Sequence, residues 1–165
     1  MPKGNQNPVP VRDRLTSKES MFYPSVLGKS WRSVDAEVRW ELSDVVNHVF
    51  PKEYQERSHD YAVKLLALAL DNPKGLDKTK LSEFLRTHAI PPATAYNVII
   101  PKLVRFGLLE RRREVNASTP SKGWFMLLRP SPTFATHLGK LAGEWRSLVK
   151  TSMIKAGELK EDQNI

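Results

Sequence analysis

The residues that could perform acid–base or metal chemistry are few and scattered in this sequence. Its four histidines, His48, His59, His88 and His137, lie far apart along the chain, with no second histidine at the spacing of a metal site. The chain contains no cysteine, which excludes a thiolate zinc site, a cysteine nucleophile and a disulfide framework. Its eight glycines are dispersed and form no phosphate-binding loop. We therefore expect no catalytic residue, no metal, no cofactor and no enzymatic activity.

Basic charge is concentrated in one part of the chain. The formal net charge is +8. Residues 101–130 hold seven basic and two acidic residues, which is a net charge of +5. Residues 1–57, 58–100 and 131–165 each have a net charge of only +1. Three of the basic residues in 101–130 are the consecutive Arg111, Arg112 and Arg113. Such concentration is typical of a protein that binds a polyanion, the alternative being a solvated basic surface kept for solubility.

The pattern of apolar residues predicts a mainly helical chain with one β-hairpin. Apolar side chains recur at three-to-four spacing in five segments and alternate in two short ones after Gly107. These patterns predict helices at 33–49, 58–70, 78–88, 92–106 and 131–155, and strands at 108–115 and 123–129.

Local signals place several of the predicted helix ends. Ser33 is a suitable N-cap for the first helix, and Asp77 for the third, where Leu76 and Leu81 have the spacing of a hydrophobic staple. Gly107 is suited to end the fourth helix. Pro101 lies inside that helix, where it removes a backbone donor, so we expect a kink or a break.

The central elements resemble the winged helix-turn-helix family of small prokaryotic and archaeal transcription regulators. The resemblance is carried by LSEFL at 81–85, the break IPP at 90–92, and TAYNVIIPKLVRFGLL at 94–109, followed by a basic hairpin. It implies a winged helix-turn-helix domain over residues 58–130. Around this domain we predict a flexible tail at 1–15, a helical extension at 16–57, a helix at 131–157 and a second tail at 158–165.

The resemblance also implies a DNA-binding surface. The helix 92–106 would be the recognition helix in the major groove, and the hairpin 108–129 would be the wing. Asn97 suits adenine, the methyl groups of Thr94 and Val98 suit thymine, and Tyr96 shares the phase of the core residues. Alternation along the strand places Arg112 on the opposite face from its two neighbours. The expected DNA contacts are Lys80, Ser82, Thr94, Asn97, Val98, Lys102, Arg105, Arg111, Arg112, Arg113 and Lys122.

The last predicted helix carries an apolar seam. Phe134, Leu138, Leu141, Trp145 and Leu148 follow one another at spacings of four and three. This seam predicts a homodimer contact, aided by the helix 33–49; alternatively, the last helix covers the core of the central domain.

These features together predict a double-stranded DNA-binding protein. We expect a homodimeric transcription regulator, cytoplasmic and associated with the nucleoid, since no apolar run approaches the roughly 20 residues that span a membrane. The alternatives are a plasmid-type partition or replication factor, and a winged helix that binds another protein within a larger nucleic-acid or remodelling machine. RNA binding is the third alternative, after DNA binding and protein binding. The three consecutive arginines favour DNA, and Pro101 favours the protein-interaction module.

Overall fold

The computed structural model describes residues 39–115 and 124–159. These residues form a mainly helical structure with one antiparallel two-stranded sheet. The predicted tail at 1–15, most of the predicted 16–57 extension, the hairpin tip with Lys122 and residues 160–165 of the second predicted tail lie outside the described residues. The elements, in chain order, are α1 (Leu42–Asn47), α2 (Lys52–Asp71), α3 (Lys78–Thr87), α4 (Pro92–Thr94), a π-helical turn (Ala95–Ile99), α5 (Ile100–Arg105), β1 (Leu109–Val115), β2 (Trp124–Pro130) and α6 (Thr133–Lys155).

The first two helices depart from the predicted bounds. The helix expected at 33–49 is only α1 in the described residues, because Asp44 Oδ2 accepts the backbone N–H of Glu41 at 2.8 Å and so caps a helix that begins at Leu42. The helix expected from residue 58 begins six residues earlier, directly after Pro51, and crosses a non-helical Gln55 at φ −138°. Its first turn carries few apolar residues, so hydrophobic periodicity did not predict it.

α3 and the turn after it follow the predicted signals closely. Asp77 Oδ1 accepts the backbone N–H of Lys80 at 2.8 Å, which confirms the predicted N-cap. The helix ends with Ile90 N–H donating to the Leu85 carbonyl at 2.8 Å. This closure requires a left-handed residue, and here it is Ala89, at φ +50°.

The next helix is a composite of three pieces. We call α4, the π-helical turn and α5 together, residues 92–105, the composite helix. Within it, the N–H of Ile100 donates to the carbonyl of Ala95, five residues back. Pro101 has no N–H to give and its ring crowds the preceding turn, so a widened turn just before it relieves both problems. The predicted distortion at Pro101 is therefore a π turn rather than a break.

A short connection joins this helix to the hairpin. Gly107, at φ +75°, ends the helix as predicted, and Leu108 N–H donates to the Leu103 carbonyl at 2.9 Å. A side chain at Gly107 would lie 2.9 Å from Thr133 Cβ, so glycine also admits the start of α6. The paired residues of the two strands run from Leu109 opposite Pro130, at the base of the hairpin, to Val115 opposite Trp124.

The sheet has a third participant that sequence patterns did not predict. Leu76, just before α3, exchanges two backbone hydrogen bonds with Leu128, at 2.8 and 3.0 Å. This bridge ties the base of the hairpin to the N-terminus of α3. Both leucines are buried, and each such side chain contributes about 1.5–3 kcal/mol through burial.

One hydrophobic core lies between the helices and the base of the hairpin. It draws Val46, Val49 and Phe50 from α1 and its C-terminal turn as well as residues from the central elements, so these three residues, which precede position 58, are part of the same packing unit. The largest fully buried side chains are Phe50, Leu65, Leu76, Leu85, Ile99, Leu103 and Leu109, with Val46 and Val49.

α6 lies outside this core. Phe134 N–H donates to the Gly107 carbonyl at 3.0 Å and fixes the start of the helix, but none of its 23 residues is buried. Leu141, Trp145 and Leu148 are 62–66% exposed. Phe134 and Leu138, the first two residues of the seam, are half-buried, and no described residue of α6 belongs to the core cluster.

Candidate nucleic-acid interface

The first half of the composite helix carries a run of exposed residues. Tyr96, Asn97 and Val98 are three consecutive exposed residues within the π-helical turn. Tyr96 is 39% exposed, which corrects the expectation that it belongs to the core. Thr94 is half-buried. An amide, an aromatic ring and a branched aliphatic group are therefore adjacent on the outer surface, which suits contact with base edges.

Lys102 requires a correction. It was expected to contact a phosphate, but it is only 5% exposed, and its Nζ lies 4.9 Å from the centre of the Phe50 ring. Burial lowers the pKa of this lysine below its ordinary value, because desolvation disfavours the charged form. No pattern in the sequence indicated that the turn after α1 would pack over the composite helix.

Other predicted contacts remain at the surface. Arg105 is exposed near the end of the composite helix and, with Gln55 and Asn97, lines a shallow depression of about 50 Å³. Lys80 and Ser82 are exposed on the first turn and a half of α3. These positions can offer hydrogen-bond donors to phosphate oxygens. Lys122 lies outside the described residues.

The three consecutive arginines are divided between the two faces of the hairpin. The register places Arg111 opposite Leu128 and Arg113 opposite Met126, whereas Arg112 lies opposite Leu127 on the other face. The predicted alternation is confirmed. We call the surface that carries Arg111 and Arg113 the arginine face.

Acidic residues occur on only one of these faces in the described strands. Glu110 and Glu114 share the face of Arg112, and Arg112 Nε lies 4.0 Å from Glu114 Oε1. The arginine face carries no acidic residue within β1 or β2 as described. Arg112 and Arg129 therefore share their face with two glutamates, whereas Arg111 and Arg113 have no acidic residue beside them in the described strands. The arginine face is thus the one suited to phosphates.

An apolar groove lies between the composite helix and the arginine face. It has a volume of about 300 Å³ and includes Tyr96, Arg111 and Met126 at its open side. Sequence patterns did not predict it, because it depends on how far the hairpin stands from the helix. We call this feature the apolar groove.

Two features that would indicate other functions are absent from the described residues. No group of three or more histidine, cysteine, aspartate or glutamate side chains in residues 39–115 and 124–159 is placed to hold a metal ion. In the same part of the chain, no helix has the length and apolar character needed to cross a membrane.

Comparison of the chain with protein-family models, with curated proteins and with solved structures finds no match. The function proposed below therefore depends on the placement of this chain's own residues.

Proposed function

We propose that this chain is a winged helix-turn-helix protein that binds double-stranded DNA and acts as a homodimeric transcription regulator. The observation that carries the proposal is the arginine face: Arg111 and Arg113 project from one side of the hairpin without an acidic neighbour in the described strands. The composite helix, with its exposed Asn97 and Val98, packs beside the same hairpin.

The order of the elements supports a helix-turn-helix unit. α3 is followed by a turn at residues 88–91 and then by the composite helix, which matches the short connection of such motifs. The hairpin follows directly and is tied to the start of α3 by the bridge between Leu76 and Leu128. In this family the second helix enters the major groove with its N-terminal residues on base edges.

Each exposed residue then has a distinct task. Asn97 donates and accepts hydrogen bonds at an adenine edge, and Val98 contacts a thymine methyl group. Arg111 and Arg113 bind phosphates on the flanking backbone, and Ser82 on α3 positions the domain through a further phosphate. The distinction matters because base contacts set sequence preference whereas phosphate contacts set salt dependence.

Fluorescence anisotropy with a labelled random-sequence duplex tests this proposal. We expect the logarithm of the affinity to fall linearly with the logarithm of the salt concentration, because each neutralised phosphate releases a condensed counterion. A matched single strand and an RNA duplex serve as comparisons. Absence of duplex binding at low salt, or tighter binding of RNA than of DNA, would contradict the proposal.

A winged helix that binds another protein is the second candidate, and the proline-containing composite helix favours it. A π turn displaces side chains from regular helical positions, which is unusual in an element that must fit a uniform groove. In that case the exposed Tyr96 and Val98 would contact a partner protein. The protein would then show no salt-dependent duplex affinity while retaining a partner through purification.

The homodimer part of the proposal depends on α6. Its exposed Leu141, Trp145 and Leu148 lie on one side of the helix, and side chains of this size rarely form a contiguous patch on a monomer. Four of the five residues that follow the seam by one position are small or apolar, namely Ala135, Gly139, Ala142 and Val149, and the fifth is Arg146. The four extend the surface available to a second helix. A second copy of α6 provides a matching surface by symmetry.

A further inference from the structure

The apolar groove has the dimensions of a small-molecule site. Its volume is about 300 Å³, at the lower end of the range of roughly 300–1,000 Å³ for ligand pockets, and an apolar cavity of about 150 Å³ already accepts benzene. Its inner wall consists of side chains that are at most 6% exposed: Leu76, Leu81, Ile100 and Leu128. Tyr96 and Met126, at 39% and 45% exposed, form the rim.

Duplex DNA does not account for this groove. The surface of DNA is a polyanion with polar base edges, and buried aliphatic side chains offer neither charge nor hydrogen bonds to it. An apolar group that fills the groove would instead remove both surfaces from water. The occupant should therefore be an apolar ring or chain.

The charged side chains that line the groove favour an anionic ligand. Lys78 and Arg111 are exposed residues that line it. Asp77 also lines it, but one oxygen of this carboxylate accepts the Lys80 N–H at 2.8 Å and caps α3. The lining therefore carries two cations and one anion, a net positive charge. A guanidinium can bind an incoming carboxylate through two parallel hydrogen bonds.

We propose that the apolar groove binds a small organic carboxylate with an apolar ring or chain, and that its occupation weakens DNA binding. The effect on DNA rests on the proposed function. The groove joins Tyr96, in the π turn, to Arg111, on the arginine face, so a bound carboxylate engages an arginine that would otherwise contact a phosphate. By thermodynamic linkage, DNA must weaken ligand binding by the same factor.

Titration of the full chain by NMR and calorimetry, without DNA, tests the site itself. The probes are benzoate, 2-naphthoate and octanoate, each compared with its neutral amide. We expect at least one carboxylate to bind at least tenfold more tightly than its amide and to shift the amide signals of Tyr96 and Met126. If no carboxylate binds, if amides bind equally, or if the shifts lie elsewhere, the proposal is wrong.

Three variants locate the contacts. Arg111→Gln should weaken the carboxylate at least tenfold and leave the amide unchanged, whereas Arg112→Gln, on the opposite face, should change neither. Met126→Trp should fill the groove and weaken both probes. Unchanged carboxylate affinity in Arg111→Gln or Met126→Trp would overturn the site.

Anisotropy with duplex DNA then tests the coupling. A saturating carboxylate should weaken the wild-type complex about fivefold or more and should leave the Met126→Trp complex unaffected. Carboxylate binding that leaves duplex affinity unchanged would refute the regulatory part. Normal duplex binding without carboxylate binding would refute this inference and leave the proposed function intact. Carboxylate binding without duplex binding would refute the proposed function and the regulatory part, and would leave only the ligand site.

Discussion

The ammonium nitrogen of Lys102 lies 4.9 Å from the centre of the Phe50 ring. This contact covers the middle of the composite helix with the turn between α1 and α2, and it removes one of the basic residues of the 101–130 stretch from the surface. The exposed part of the composite helix is consequently divided into an N-terminal half with Asn97 and a C-terminal end with Arg105. A cation held over an aromatic ring in this way serves packing rather than phosphate binding.

Lys102→Met should therefore leave the salt dependence of DNA binding unchanged. Methionine retains much of the length of the side chain and removes its charge, and the lysine ammonium faces Phe50 rather than solvent. The measurement is the slope of log affinity against log salt for a random duplex. A slope that becomes shallower by about 0.9 would place Lys102 on a phosphate and contradict the structure.

The same variant should reveal a pH-dependent contribution to stability. Because burial lowers the pKa of Lys102 in the folded protein, the unfolded chain binds more protons than the folded one between that lowered value and the ordinary 10.5. The desolvation penalty is complete below the lowered pKa and disappears above 10.5. The free energy of unfolding of the wild type, relative to Lys102→Met, should thus rise as pH is raised towards 10.5 in denaturant titrations. A difference that stays constant would contradict this account.

Ala89→Gly should stabilise the turn after α3. Ala89 holds φ +50°, a left-handed conformation that costs an L-residue roughly 1–2 kcal/mol. Glycine removes this cost but loses more entropy on folding, so we expect a net gain of about 0.5–1 kcal/mol in the free energy of unfolding. Ala93→Gly is the matched control: this exposed residue of α4 is helical, and its replacement should cost about 1 kcal/mol. Equal effects of the two changes would argue against strain at Ala89.

Asn97→Ala should reduce sequence discrimination. An amide that pairs with an adenine edge contributes about 1–3 kcal/mol of preference, so the gap between a selected site and random duplex should narrow by that amount. Ser82→Ala, at an expected phosphate contact, should instead weaken binding to every duplex equally. A uniform loss of affinity in Asn97→Ala would assign Asn97 to positioning rather than to base recognition.

The α6 seam predicts a dimer at micromolar concentration, measured by light scattering. Trp145→Glu should produce monomers because it places a charge in the seam, whereas Ser147→Glu, on the opposite side of the helix, should not. Trp145 is 66% exposed, so its replacement should leave the monomer folded. Truncation after Pro130 should likewise give soluble monomers, since no residue of α6 is buried. A stable full-length monomer would contradict the homodimer.

The sequence predicted the features that depend on local chemistry. The Asp77 cap, the end of the composite helix at Gly107, the hairpin and the alternation of the arginines all follow from neighbouring residues. The start of α2 was not predicted because its first turn has few apolar residues. The burial of Lys102 and the apolar groove were not predicted either, since both arise where residues distant in sequence pack together.

The most direct test of DNA binding through the arginine face compares two variants of the hairpin. Arg111→Ala combined with Arg113→Ala should make the slope of log affinity against log salt shallower by about 0.9 for each arginine that contacts a phosphate, weakening preferred and random duplexes alike. Arg112→Ala should leave the slope unchanged, because this arginine lies on the other face beside Glu114. If the folded double variant keeps the original slope, or if Arg112→Ala alters it as much, the arginine face is not the DNA-binding surface.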